Sequence, residues 1–128
     1  MIVVDASPLI GLIEAEDAHH RNAVALLAGA AEPFFVHAVT LAEVLVGPAR
    51  VGTEEAVAAD LRGIGVRVAN LGAGEAIALA RLRARLGLKM PDICALATAI
   101  HVGAPLATFD AKLAAAARGL GLLYEADP

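Results

Sequence analysis

The chain has no tryptophan, one tyrosine, three phenylalanines and a single cysteine. Without aromatics to fill it, a core must be assembled from Ala, Leu, Val and Ile. The 59% hydrophobic content supplies these, and such a mixture suits tightly packed α/β layers. The lone Cys94 excludes an internal disulfide, and its neighbours Ile93, Ala95, Leu96 and Ala97 mark it as a small buried residue rather than a nucleophile. No apolar run reaches the roughly 18 uncharged residues of a spanning helix, and Met1-Ile2-Val3-Val4 meets Asp5 with no basic segment before it. A soluble, cytoplasmic protein without a membrane partner is expected. Positive charge is scarce too: ten Lys and Arg stand against 14 Asp and Glu, a net charge of -4. This excludes a broadly basic nucleic-acid surface, so action on RNA would need a metal ion to reverse the field locally.

A chain of 128 residues buries one proper core, so a single domain over 1–128 is expected. Short apolar runs recur at Ile2-Val3-Val4, Phe34-Phe35-Val36, Val66-Arg67-Val68, Leu106-Ala107-Thr108 and Leu120-Gly121-Leu122-Leu123, each of strand length. Helical patterns separate them. Ser7-Pro8 sets an N-cap and a first-turn proline for residues 7–13, and a second helix covers 17–28 with Gly29 as its stop. Thr40 and Glu43 have the spacing of a capping box, followed by Leu41, Val44 and Leu45 on one face up to Gly47-Pro48. Gly52-Thr53-Glu54-Glu55 opens the next helix. Residues 73–86 form another, with Ile77, Leu79, Leu82 and Leu86 toward the core, an arginine row at Arg81, Arg83 and Arg85, and Gly87 at its end. Pro91-Asp92 begins a helix to Val102, and Asp110 caps the last, 111–118. Alternating strands and helices predict an α/β fold: one three-layer α/β/α sandwich with a mostly parallel central sheet.

In such sheets the functional crevice lies beyond the carboxyl ends of the strands. The polar residues there are acidic. Asp5 follows the first strand, Glu43 lies in the helix after the second, Asp92 opens a later helix and Asp110 follows the fourth strand. Taken singly, Asp92 and Asp110 are explained by helix capping, and Glu43 by the capping box. Asp5 is harder to explain so, because a carboxylate ending a buried strand is costly to desolvate unless a cation or several donors offset it. As a set, four clustered carboxylates raise one another's pKa and persist as anions chiefly beside a hard cation. Mg²⁺ or Mn²⁺ fits, since both favour oxygen ligands shared with substrate phosphates, and the implied chemistry is phosphodiester hydrolysis.

Val4-Asp5-Ala6-Ser7, Thr40 with Glu43, Lys89-Met90-Pro91-Asp92 and Leu106-Ala107-Thr108-Phe109-Asp110 together resemble the successive motifs of a PIN-domain nuclease, in particular a VapC-type toxin. The resemblance spans nearly the whole chain, and Met90 in place of the commoner leucine is an apolar exchange. It implies that Asp5, Glu43, Asp92 and Asp110 are the catalytic quartet, with Asp5, Asp92 and Asp110 on the Mg²⁺ or Mn²⁺, and that Ser7 and Thr108 support those acids. It further implies cleavage of single-stranded or loop RNA, a homodimer, and silencing by a VapB-type antitoxin whose C-terminal segment lies in an apolar groove and reaches the acidic site.

Arg81 and Arg85 share a helix face and, with Lys89, could touch RNA phosphates; the plainer reading is a solvated face. His19, His20, His37 and His101 lack metal-ligand spacing and are assigned surface or capping roles. Three rival readings are weaker. A phosphate-accepting receiver domain wants adjacent acids where Ala6 follows Asp5, and offers Asn70 rather than Asp after Val68. A haloacid-dehalogenase-like phosphatase wants an acid where Ser7 stands. A catalytically inactive PIN-like module that only binds RNA or protein usually lacks one of the acids, and all four are present.

Overall fold

The β-branched runs become β1 (Ile2–Val4), β2 (Phe34–Val36), β3 (Val66–Val68) and β4 (Leu106–Ala107). Between and after them run α1 (Ala6–Ile13), α2 (His20–Gly29), α3 (Ala38–Arg50), α4 (Glu54–Gly63), α5 (Glu75–Leu86), α6 (Met90–Val102) and α7 (Ala111–Gly119). The structure is a computed structural model that describes residues 1–126; the last two residues of the expected 1–128 unit lie outside the described residues. The sheet has the order β3-β2-β1-β4 and is parallel throughout, with Ile2 beside Phe34, Val3 beside Leu106 and Phe34 beside Val66.

Strand alternation divides the core in two. Ile2, Val4, Phe34 and Val36 face α1–α4 and pack with Leu9, Leu27, Val44 and Leu61. Val3, Phe35 and Leu106 face α5–α7 and pack with Leu82, Ile93, Leu96 and Leu113. This is the expected three-layer sandwich. The chain steps from β1 outward to β2 and β3, then returns across the other face to place β4 on β1's free side. The winding therefore reverses between β1 and β4, the place where such sheets leave a crevice at their carboxyl ends.

The structure corrects several local expectations. Leu120–Leu123 is not a fifth strand: it contributes one parallel bridge, Leu123 to Leu106. Gly121 turns the chain at φ +70, and Leu122 N–H is held by the Ala117 carbonyl at 2.8 Å, so too little chain remains free to pair. The third helix begins before Thr40, because the His37 Nδ1 accepts from Val39 N–H at 3.0 Å and caps it there. It also overruns Pro48 to Arg50, with the Pro48 carbonyl collecting the N–H groups of Val51 and Thr53. Ile77 points to solvent at 60% exposure, whereas Leu82 is buried and Leu79 and Leu86 are partly so. Cys94 is buried as expected. No helix among the described residues is long and apolar enough to cross a membrane.

Candidate active site

Asp5 is the residue at which β1 passes into α1. Its backbone N–H bonds the Ala107 carbonyl at 3.0 Å, extending the β1–β4 ladder, while its extended φ/ψ makes it the N-cap of α1. The side chain caps nothing. It is 7% exposed, and Oδ2 instead accepts two hydroxyls: Thr108 Oγ1 at 2.8 Å and Ser7 Oγ at 3.3 Å. Each hydroxyl is itself oriented, Ser7 Oγ accepting from Phe109 N–H and Thr108 Oγ1 from Asp110 N–H, both at 3.0 Å. Two donors from two elements thus hold a buried carboxylate in one rotamer, which answers its desolvation cost only in part.

Asp110 lies at the mouth of the same crevice. One of its oxygens caps α7 through Leu113 N–H at 2.8 Å, as the capping reading expects. Asp92, half-buried in the first turn of α6, has its carboxyl pushed above the ordinary range by burial, then by the negative charges of Asp110 and Asp5, with Lys89 pulling it back. Glu43 lies on the outer side of α3. Its carboxyl is also raised, first by partial loss of hydration, then by Asp5 and Asp92, again opposed by Lys89. Glu43 and Asp92 therefore both stand in the field of Asp5, with Asp92 also in that of Asp110. Among the described residues, no three His, Cys, Asp or Glu side chains are close enough to cage an ion by themselves. The donor set is all hard oxygen, which suits Mg²⁺ or Mn²⁺, ions that take few protein carboxylates and complete their shells with water and phosphate.

Lys89 and Lys112 flank a cleft lined by Asp92 and Asp110. Sequence reading missed Lys112, although a cation in the first turn of a helix opposes the dipole there and was the available signal. Arg81 and Arg85 point elsewhere, into a groove between α5 and α6 with Leu71, Leu82, Ile100 and His101. Thr40 is buried with its hydroxyl unpartnered, so it makes no capping box with Glu43. His37, buried at the head of α3, is a cap as expected. Because its Nδ1 accepts from Val39 N–H, Nε2 carries the proton and donates to Glu75 of α5. Burial and the charges of Glu75 and Glu43 push the Cys94 thiol up, which suits an inert core residue.

Fold and site define a doubly wound α/β domain with an acid-lined cleft at its switch point. Residues 2–119 match the PIN domain, and the chain belongs to that family. A toxin–antitoxin complex from Klebsiella pneumoniae is similar at 25% identity and a TM-score of 0.74, covering 86% of this chain and 87% of that one. The sarcin-ricin loop-cleaving toxin VapC20 of Mycobacterium tuberculosis shares 23% identity at a TM-score of 0.76, over 99% and 100% of the two chains. VapBC2 of Rickettsia felis, bound to promoter DNA, shares 20% identity at 0.67 over 98% of each. No curated protein matches the chain.

Proposed function

We propose that the chain is a metal-dependent endoribonuclease, the toxin of a VapBC-type toxin–antitoxin pair, acting in the cytoplasm on RNA. One observation supports the reading: Asp92 and Asp110 line one cleft with Lys89 and Lys112, and the carboxyl of Asp92 is raised by burial and then by the charges of Asp110 and Asp5, as that of Glu43 is by burial and then by Asp5 and Asp92. Membership of a nuclease family and likeness to toxins of toxin–antitoxin complexes support it.

Asp5, Asp92 and Asp110 would hold Mg²⁺ or Mn²⁺, with Glu43 completing the quartet. The bound ion supplies an activated water and neutralises charge on the phosphate. The chain's own part is preorganisation. Thr108 and Ser7 fix Asp5 Oδ2, leaving Oδ1 without a partner among the described residues. Lys89 and Lys112 offer the phosphate two cations at an otherwise acidic cleft, and Arg81 and Arg85 take phosphates of a longer RNA that continues past it. The partner is a VapB-type antitoxin. A homodimer agrees with the exposure of Ile77 and Ile100 on α5 and α6.

The test is incubation of the antitoxin-free protein with total cellular RNA, with Mg²⁺, Mn²⁺ or EDTA, beside Asp92→Asn. Discrete fragments requiring both metal and Asp92 are expected. RNA left whole by folded protein in saturating metal would sink the proposal in favour of a module that only binds.

A further inference from the structure

Next to Asp110 in the chain, an aromatic pair adjoins the groups that hold Asp5. His19, exposed at the head of α2, stacks on Phe109 with ring centroids 5.0 Å apart and planes 25° from parallel. Phe109 stands between Thr108 and Asp110, and its N–H is tied to Ser7 Oγ, so the stack is bolted to the groups that orient Asp5. Three contacts fix the His19 side. Its N–H donates to Asp17 Oδ1 at 2.8 Å, its carbonyl accepts from Ala23 N–H at 2.8 Å, and His20 Nδ1 donates to the Gly11 carbonyl at 2.7 Å. Gly11 allows this close approach: a Cβ there would meet Ala23 Cβ at 3.1 Å and the His19 carbonyl at 3.3 Å. Helix α1 thus carries Asp5 at its head, Phe109 through Ser7, and His19 through Gly11.

Two rings stacked within 25° of parallel beside the residues that hold Asp5, with His19 exposed, form a shelf for a third flat ring. Resting on the ribonuclease reading above, we infer that the His19–Phe109 pair is a base-stacking platform that takes the unpaired base of a single-stranded RNA nucleotide next to the cut phosphate. A stacked face accepts any base but demands that it be unpaired, so the platform selects single-stranded or loop RNA over duplex without reading sequence.

The probe is a short single-stranded oligoribonucleotide carrying 2-aminopurine at each position in turn, and every chain tested with it carries Asp92→Asn so that the probe stays whole. On binding the full chain in Mg²⁺, the fluorophore at one position is expected to be quenched. His19→Ala should relieve that quenching and weaken affinity by about 5- to 150-fold, the usual effect of removing one base–aromatic stack. His19→Tyr should restore both, and an oligonucleotide abasic at that position should bind parent and His19→Ala alike. Phe109→Leu, its folding checked by melting temperature, should behave like His19→Ala. Quenching and affinity unchanged in both variants, while the parent still cuts RNA, would overturn the platform and leave the nuclease standing. A parent that neither cuts RNA nor binds the probe would remove both.

Discussion

Thr108 Oγ1 donates to Asp5 Oδ2 at 2.8 Å, joining residues 103 positions apart in the chain. The bond closes the gap between the two strands flanking the switch point, and the same oxygen accepts Asp110 N–H. One hydroxyl therefore sets the direction of one acid's side chain and of another's backbone.

Thr108→Val keeps the shape and removes the hydroxyl. Partners of this kind to ligating groups are worth about 10–100-fold in metal affinity or activity. We expect RNA cleavage to fall within that range, to be partly recovered at high Mg²⁺, and to be retained by Thr108→Ser. A valine variant with the parent's Mg²⁺ titration curve would show that Asp5 needs no such orientation. Asp92→Asn should lose more than either, because it removes the anion itself.

Glu43 and Asp92 have carboxyl pKa values raised in the folded chain above their ordinary 4.5 and 3.8. The folded state then holds protons more tightly than the unfolded one. Its resulting advantage is present in acid and is lost as the pH climbs through the raised values. Without metal, Glu43→Gln and Asp92→Asn should melt higher than the parent at pH 7, by a margin that shrinks toward pH 4. Saturating Mg²⁺ should reverse the order for Asp92→Asn, which has lost a proposed ligand, by stabilising the parent more than that variant. Melting curves at three pH values with EDTA test this, and a margin that widens toward acid would contradict it.

Lys89 and Lys112 are the cations at the acid cleft. Replacing either by Ala should lower the slope of log affinity against log salt by about one for a short RNA. The double Arg81→Ala/Arg85→Ala variant should matter only for longer RNA, since those side chains line the α5–α6 groove. Equal effects on short and long substrates would mean that the strand runs across α5 first.

Gly11→Ala adds a methyl where Ala23 Cβ would lie at 3.1 Å and a backbone carbonyl at 3.3 Å. Overpacking of that kind costs about 1–3 kcal/mol. Chemical denaturation should report a loss of that size. A stability equal to the parent's would show that the α1–α2 corner can relax.

Much of this could be read from residue order. The parallel sandwich follows from apolar triplets separated by helical patterns, and the four acids follow from asking what stands at the strand ends. Reading failed where two local signals competed. Thr40 and Glu43 have capping-box spacing, but His37 caps three residues earlier, and a histidine cap carries no strong sequence mark. Ile77 has core periodicity on α5, yet that helix packs chiefly on α6, through a narrow stripe centred on Leu82. Leu120–Leu123 has strand composition, but its length is consumed by the turn at Gly121. The hydroxyls on Asp5 came from family resemblance alone, since contacts between distant segments leave no trace in local spacing. The His19–Phe109 stack was missed for the same reason.

The strand order also bears on how the chain is made. Of the four described strands β4 is the last to leave the ribosome, and it joins β1, the first of them. A nascent chain that has not reached Leu106 already possesses Asp5, Glu43 and Asp92, but neither Thr108 to orient the first nor Asp110 to close the cleft. If the finished domain cuts RNA, a copy translated only as far as α6 carries no assembled blade, and the hazard begins once β4 and Asp110 have emerged.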